Sequence, residues 1–211
     1  MKNRYGIDIW SDDNFFIEDG VVKVNYKPYP SLIKIVKDVR KQGFKGPLLL
    51  RFPHITKKQV KTLFNTFNAS IKEYDYKGKF NAVFPLKVNQ LPNFIHPLVA
   101  AGKKYNYGLE AGSKAELVIA MTYNNMGSPI TINGFKDKEM IHLCFIAKSM
   151  GHDITVIIEG LNELEMILEV LKETKMEAPN VGLRVRLHSG GSGVWAKSGG
   201  IDSKFGLTST E

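Results

Sequence analysis

A lysine that follows an apolar run is the residue in this chain best placed to do chemistry. Lys87 comes shortly after Phe80, Ala82, Val83 and Phe84, a pattern that predicts a short buried strand. Ligand sites in α/β folds lie at the carboxyl ends of strands. Because most lysines are simply exposed to solvent, a functional interpretation of Lys87 depends on its surroundings.

Polar side chains end each of the predicted strands, as at the mouth of a barrel site. These strand-end residues are Lys87, Glu110, Asn133, Glu159 and His188. Period-two alternation places Arg184 and Arg186 on the same strand face as His188. A lysine in such a mouth can form a Schiff base with a carbonyl substrate or with pyridoxal phosphate. Both reactions need a neutral amine, which desolvation and nearby cations favour.

Strands and amphipathic helices alternate from residue 80 onward and predict a parallel sheet. The expected strands are Phe80–Leu86, Tyr105–Leu109, Ile130–Ile132, Ile154–Ile158 and Val181–Leu187. The regular repeat, and the absence of a Gly-x-Gly-x-x-Gly turn after the first strand, favour a barrel over a doubly wound sheet. The predicted fold class is α/β, a partial (β/α)8 TIM barrel of about five βα units preceded by an N-terminal β/α segment.

Capping signals and apolar periodicity predict the helices of this alternating region. Ser113 and Glu116 have capping-box spacing at the second helix, and Asn162 begins a similar pattern at the fourth. The third helix is expected to bury Met140, Ile141, Cys144, Phe145 and Ala147. The fourth is expected to bury Ile167, Leu168 and Leu171.

The first part of the chain has a different organisation. Phe15–Ile17 and Val21–Val24 flank a turn and predict a hairpin, and Ser31 caps a helix. Residues 47–52 predict a strand, and residues 56–73 predict a second helix. We therefore expect a strand/helix segment over 1–46 and the first part of a barrel over 47–211.

Five strands do not close a barrel of eight. Completion would need roughly three more strands, on the order of 75 residues. We therefore expect this sequence to be the front part of a longer protein and to be inactive alone.

Composition excludes several classes of function. The net charge is +8, but the lysines are scattered among acids without an arginine-rich block, which argues against nucleic-acid binding. No apolar run reaches the length of a membrane span, which argues against a membrane partner. The one cysteine, Cys144, cannot form an intramolecular disulfide, and this fits a reducing cytoplasm.

Three further features of the sequence receive no specific functional assignment. The glycine-rich segment 189–206 fits either a phosphate-binding loop or a flexible lid. No residues have metal-ligand spacing, so no metal ligand is predicted. Four histidines are interpreted as structural or exposed: His54, His96, His142 and His152.

Several segments, in order along almost the whole chain, resemble bacterial biosynthetic arginine decarboxylases. They are YGID at 5–8, PLLLRFPH at 47–54, FPLKVNQ at 84–90, GLEAGSKAEL at 108–117, NGFKD at 133–137 and GVWAKSGGIDSKFGL at 193–207. The lysine segment alone also fits ornithine or diaminopimelate decarboxylases. Gln90 and the long glycine-rich loop favour the arginine branch.

The resemblance implies a pyridoxal 5′-phosphate enzyme of fold type III, with an alanine-racemase-like barrel. Lys87 would carry the cofactor as a Schiff base, and Glu110 and Arg184 would line it, with Arg186 as a rival to Arg184. The implied reaction converts L-arginine to agmatine in polyamine and spermidine biosynthesis. Magnesium and a homo-oligomeric assembly are also implied. The alternatives are decarboxylation of ornithine or diaminopimelate, or a non-catalytic cofactor-binding relative.

The resemblance also predicts what these 211 residues lack. The family's ring-stacking histidine, phosphate-binding glycine loop, acid paired with the pyridine nitrogen and catalytic cysteine belong to later parts of the barrel. Lys87 would then anchor a cofactor whose phosphate and ring nitrogen are held elsewhere.

Overall fold

The computed structural model describes residues 6–187, 193 and 205–210. The chain forms two compact units, Met1–Lys58 and Gln59–Glu211. The helices are α1 (Ile7–Trp10), α2 (Leu32–Lys41), α3 (Pro53–Glu73), α4 (Pro92–Gly102), α5 (Lys114–Tyr123), α6 (Lys138–Ser149) and α7 (Leu161–Thr174). The strands are β1 (Phe15–Glu18), β2 (Val21–Val24), β3 (Val83–Pro85), β4 (Gly108–Ala111), β5 (Pro129–Ile132), β6 (Asp153–Ile158) and β7 (Asn180–Leu183).

The first unit contains a hairpin and a capped helix, as predicted. Strands β1 and β2 pair antiparallel, with Phe15 opposite Val24. The Ser31 hydroxyl accepts a hydrogen bond from the Lys34 amide at 3.2 Å and caps α2. His54 stacks on Tyr26 within this unit, and partial burial lowers the pKa of its imidazole.

A five-stranded parallel sheet forms the centre of the second unit. Its strand order follows the sequence, β3-β4-β5-β6-β7, and every neighbouring pair is parallel. This arrangement, with a helix between successive strands, is the arc of a (β/α)8 barrel. It confirms the predicted fold class.

One face of the sheet packs against the helices and carries the core. Alternate strand residues are buried there: Leu109, Ala111, Ile130, Ile132, Ile154, Val156 and Ile158. They meet the apolar sides of the helices, including all five residues predicted for α6. The intervening strand residues, such as Glu110, Thr131 and Thr155, point to the opposite face and are only half-buried. We call that opposite face the inner face.

Several predicted boundaries are wrong, and one predicted strand is absent. Residues 47–52 lead directly into α3 at Pro53 and pair with no strand in the described part of the chain. A strand forms only where a neighbour supplies the hydrogen bonds of the ladder. Strand β4 begins at Gly108 because a 3-10 helix occupies Lys103–Tyr105 and Asn106 adopts a left-handed conformation. Strand β3 has three residues, fewer than expected.

The start and the buried side of α7 also differ from expectation. The N-cap is Gly160, which supplies no side-chain cap, so Asn162 does not begin the helix. Ile167 is buried as predicted, but Leu168 and Leu171 are 56% and 37% exposed. Val170 is buried instead. In the part of the chain that the structure describes, no helix combines the length and the hydropathy that a bilayer crossing requires.

Candidate functional site

Lys87 lies in a turn directly after β3, at the carboxyl edge of the sheet. The turn is closed by a hydrogen bond from the Val88 amide to the Pro85 carbonyl, 3.1 Å long. Leu86 is completely buried in the core and donates its amide to the Glu110 carbonyl at 3.0 Å, whereas Lys87 is exposed. Among the described residues, Lys87 has no hydrogen bond or ion pair. Its amine is therefore available to a ligand.

Glu110 is the residue of β4 that faces inward beside this turn. Its register partners are Pro85 in β3 and Thr131 in β5, and the same row continues to Thr155 in β6. Its neighbours Leu109 and Ala111 are fully buried on the opposite face. The structure thus brings the carboxylate of Glu110 and the turn of Lys87 to the same edge of the sheet.

Arg184 follows β7 and is held on both sides of its backbone. Its amide donates to the Ile158 carbonyl at 2.9 Å, and its carbonyl accepts from the Leu207 amide at 2.7 Å. The guanidinium lies over the Phe205 ring, 4.6 Å from the centroid, and pairs with Glu159 at 3.1 Å. Arg184 is therefore fixed at the far end of the described sheet.

Arg184 and Glu110 are separated by three strand spacings. At about 4.8 Å per spacing, their strands lie roughly 14 Å apart across the sheet. Arg184 also lies four residues beyond Asn180, which is the residue of β7 in the same register row as Glu110. The two side chains therefore reach different parts of any ligand that lies across this edge. The rival Arg186 donates through its guanidinium to the Gly206 carbonyl at 3.2 Å.

The other predicted strand-end residues differ in their positions and contacts. Asn133 follows β5 and is half-buried, and its amide donates to the Ala111 carbonyl at 3.0 Å. Glu159 accepts the Gly134 amide at 2.9 Å with one oxygen and contacts Arg184 with the other. His188 and most of segment 189–206 lie outside the described residues.

A buried ion pair beneath this edge was missed by sequence reasoning. The Lys136 side chain is 0% exposed, and its Nζ lies 3.1 Å from a carboxylate oxygen of Glu163, which is 6% exposed. Lys136 also donates to the Gly134 carbonyl at 2.5 Å. Burial raises the pKa of the Cys144 thiol to about 12, and the charge of Lys136 opposes that rise. Cys144 is thus an inert core residue, as predicted.

The sequence did contain a signal for Glu163. In two βα turns, the first residue after the strand donates its amide to a glutamate four residues further along the chain. Glu116 accepts the Gly112 amide at 2.7 Å, and Glu163 accepts the Glu159 amide at 2.8 Å. This repeated spacing is visible in the sequence, whereas the burial of Lys136 is not.

An exposed ion-pair cluster lies on the same side of the sheet. Lys114 contacts Asp137 at 2.7 Å and also contacts Glu139. The hydrogen bond to Asp137 is the main cause that raises the pKa of Lys114, and the bond from Lys114 is the main cause that lowers the pKa of Asp137. Asp137 also caps α6 by accepting the Met140 amide at 2.9 Å.

Acidic, histidine and cysteine side chains do not gather into a metal site in the described ranges 6–187 and 205–210. No group of three or more such residues is placed to hold an ion there. The magnesium that the resemblance implies therefore has no candidate ligands in this part of the chain, and it stays a prediction.

Known structures share this architecture. The crystal structure of the biosynthetic arginine decarboxylase from Campylobacter jejuni matches with a TM-score of 0.89 and 58% identity, over 98% of this chain and 33% of that one. A diaminopimelate decarboxylase from M. jannaschi matches with a TM-score of 0.67 and 23% identity, over 94% of this chain and 42% of that one. The second similarity supports the fold alone.

Sequence comparison also finds similarity to pyridoxal-dependent decarboxylases. Biosynthetic arginine decarboxylases from Citrifermentans bemidjiense and Bacteroides thetaiotaomicron are 42% and 38% identical, over 98% and 100% of this chain. The chain spans about a third of their length, 33% and 34% respectively. Residues 58–211 match the family model described as pyridoxal-dependent decarboxylase, pyridoxal binding domain. The chain therefore belongs to the family of pyridoxal-dependent decarboxylases.

Proposed function

We propose that this protein decarboxylates L-arginine to agmatine with pyridoxal 5′-phosphate as its cofactor, as a step of polyamine biosynthesis. The observation that carries the proposal is the amine of Lys87, which pairs with no described residue, at the carboxyl edge of a barrel arc that belongs to this family. The 58% identity to a solved arginine decarboxylase supports arginine as the substrate. Because the chain spans about a third of such relatives, the activity is proposed for the full-length enzyme.

The residues present at this edge fit such a cofactor. Its aldehyde needs an accessible amine, and Lys87 Nζ is exposed and makes no ion pair with a described residue. A covalent bond from Lys87 Nζ to the aldehyde carbon would then hold the cofactor beside β3. When bound, pyridoxal phosphate supplies an electron sink for the pair left on the α-carbon as carbon dioxide departs.

Glu110 and Arg184 are proposed to line the cofactor from two sides. Glu110 projects from the inner face one strand away from the Lys87 turn, and its orientation is supported by the burial of Leu109 and Ala111 behind it. Arg184 presents a guanidinium already oriented by Glu159 and Phe205. One carboxylate and one cation, carried by strands roughly 14 Å apart across the sheet, would orient a long, charged ligand between them.

Cofactor attachment tests the role of Lys87. The full-length protein is incubated with pyridoxal phosphate, reduced with borohydride and digested, and the modified peptide is sequenced. We expect the pyridoxyl group on Lys87 and its loss in Lys87→Ala. Lys79→Ala is the matched control, because Lys79 is an exposed lysine that precedes the same strand. A modification on another lysine in the wild-type protein would refute the assignment.

Turnover tests the substrate. Carbon dioxide and amine release are measured with arginine, ornithine and diaminopimelate under the same conditions. We expect arginine to be preferred, and Lys87→Ala to lose measurable turnover, because the amine proposed to hold the cofactor is removed. Preference for ornithine or diaminopimelate would reassign the substrate. Binding of cofactor without any turnover would indicate a non-catalytic relative.

The remaining predictions, from the resemblance and from the sequence patterns, are part of the same proposal. A homo-oligomer is tested by light scattering on the full-length enzyme, and a magnesium requirement by turnover with and without a chelator. A cytoplasmic location is tested by cell fractionation. The division of the chain at residues 46 and 47 is tested by limited proteolysis.

A further inference from the structure

We infer that Lys136 and Glu163 are positioning residues that fix Glu159 and, through it, the guanidinium of Arg184 at the carboxyl edge of the sheet. The inference rests on the proposed function, because Arg184 is a proposed cofactor contact. Neither Lys136 nor Glu163 reaches the edge itself, since both side chains are buried. Their effect on a ligand therefore passes through other residues.

The burial of this ion pair is unusual for the residues involved. Phe135 is 83% exposed while its neighbour Lys136 is 0% exposed, which reverses the normal preference of an aromatic and a lysine side chain. Burying two charges costs several kcal/mol per ion in desolvation, and a buried pair often contributes little net stability compared with apolar residues. Stability alone is therefore a weak reason for this pair.

The hydrogen bonds around the pair form a closed network. Lys136 Nζ contacts one oxygen of Glu163 and the Gly134 carbonyl, and the second oxygen of Glu163 accepts the Glu159 amide. The Gly134 amide donates a hydrogen bond to Glu159 Oε1, and the guanidinium of Arg184 donates one to Glu159 Oε2. Each oxygen of both carboxylates has a partner, so Glu159 is held through its backbone and its side chain together.

Backbone geometry makes this network rigid. Gly134 has a φ of +79°, a conformation that other residues rarely adopt, and a Cβ there would approach the Gly112 carbonyl oxygen to 3.1 Å. The network thus joins the turn after β5, the start of α7 and the end of β7 through short bonds. A preorganised cation at this edge would bind an anionic group without first losing side-chain freedom.

Four variants of the full-length protein separate positioning from simple stabilisation. The pair-removal variant is Lys136→Met with Glu163→Leu, which replaces both charges by apolar groups. Its control is Lys138→Met with Glu173→Leu, because that 2.6 Å pair also has its glutamate on α7 but is about half exposed. Glu159→Gln and Arg184→Met interrupt the later steps and leave the buried pair intact.

Hydrogen exchange of the Gly134 amide tests the positioning of Glu159 without cofactor. That amide donates to Glu159 Oε1, so its protection reports whether the carboxylate stays in place. We expect exchange to be about tenfold faster in the pair-removal variant, the change that loss of one hydrogen bond to a charged group produces. Unchanged Gly134 protection in a folded pair-removal variant would overturn the inference.

Cofactor affinity tests the consequence for Arg184. Titration with pyridoxal phosphate is expected to give a Kd about tenfold higher for the pair-removal variant, Glu159→Gln and Arg184→Met than for the wild-type protein. The Kd of the control variant and the melting temperatures of all four variants should be unchanged. Adding pair removal to Arg184→Met should change the Kd by no more than about twofold. Fully additive losses would mean that the pair does not act through Arg184.

The outcomes remain separable from failure of the proposed function. If the wild-type protein binds no cofactor, the proposed function fails, and Gly134 exchange still decides the positioning of Glu159. If Arg184→Met weakens binding but Glu159→Gln does not, the inference is overturned while the proposed function stands. If the pair-removal variant does not fold, Glu163→Gln replaces it, since that substitution removes the charge of Glu163 and keeps the size of its side chain. Unchanged Gly134 exchange in Glu163→Gln would overturn the inference.

Discussion

Two βα turns of the same sheet use one backbone device in different surroundings. After β4, Glu116 accepts the Gly112 amide, and after β6, Glu163 accepts the Glu159 amide. In the first turn, the carboxylate of Glu116 is half-buried. The side chain of Lys114, which forms an ion pair with Asp137 before α6, is exposed. In the second turn, the carboxylate of Glu163 is buried and forms an ion pair with the buried side chain of Lys136. The difference shows how a local capping device becomes part of a network that spans several strands.

The buried turn should be far more sensitive to loss of its carboxylate. Glu163→Ala leaves Lys136 charged and without its partner in the core, which should cost about 3–5 kcal/mol in the free energy of unfolding. Urea unfolding of the full-length protein measures this loss, and exchange of the Glu159 amide localises it. A cost no larger than that of Glu116→Ala would remove the distinction between the two turns.

The half-buried turn should lose less when its carboxylate is removed. Glu116→Ala deprives the Gly112 amide of its acceptor, but water can reach the turn, so we expect a cost of about 1 kcal/mol. The Gly112 amide should then exchange roughly fivefold faster. Glu165→Ala is the control, because Glu165 is an exposed glutamate on α7. Equal effects of the two substitutions would contradict a specific role for Glu116.

Much of this sheet could be predicted from sequence because apolar periodicity reports burial directly. The β6 prediction differs from the structure by one residue, since Ile154, Val156 and Ile158 alternate with half-buried neighbours. Strand 47–52 was wrong because a strand exists only where a neighbour supplies hydrogen bonds, and local sequence carries no information about that neighbour. The position of Lys87 just after its strand was predictable for the same reason as the strands. Glu110 lies within β4 rather than after it, and Arg184 follows β7 rather than lying inside the predicted strand Val181–Leu187.

The network beneath the edge could not be predicted in this way. An apolar residue beside a lysine normally predicts that the apolar residue is buried, but Phe135 is exposed and Lys136 is not. Which of the two side chains is buried depends on whether a carboxylate on α7 can pair with the lysine. This is a tertiary contact between Lys136 and Glu163, which are 27 positions apart in the chain. Only the spacing of Glu116 and Glu163 after their strands was visible beforehand.

The two turns also differ in how their helices begin. Ser113 caps α5 by accepting the Glu116 amide at 3.2 Å, whereas Gly160 at α7 offers no side chain. Gly160→Ser should supply the missing cap and raise the free energy of unfolding by a few tenths of a kcal/mol. Its new Cβ would come within 2.8 Å of Asn162 Oδ1, the flexible end of a side chain that can rotate away. Destabilisation by this substitution would mean that Asn162 cannot move.

The smallest effect concerns the exposed tie between Lys114 and Asp137, and it should depend on pH and salt. Because the folded-state pKa of Asp137 lies below its ordinary value of 3.8, the carboxylate contributes stability above pH 3.8 and loses that contribution as pH falls through the lower folded value. The pKa of Lys114 is raised above 10.5, so its contribution is complete below pH 10.5 and disappears as pH rises through the higher folded value.

Melting temperatures of wild-type protein and Lys114→Met measure this tie. The small difference between them near pH 7 should vanish at pH values below the folded pKa of Asp137, and it should shrink in high salt because exposed charges are screened. The buried pair gives the contrasting result, since the effect of Glu163→Ala should persist in high salt. Equal salt dependence of the two ties would mean that burial does not separate them, and the comparison between the turns would then rest on hydrogen bonding alone.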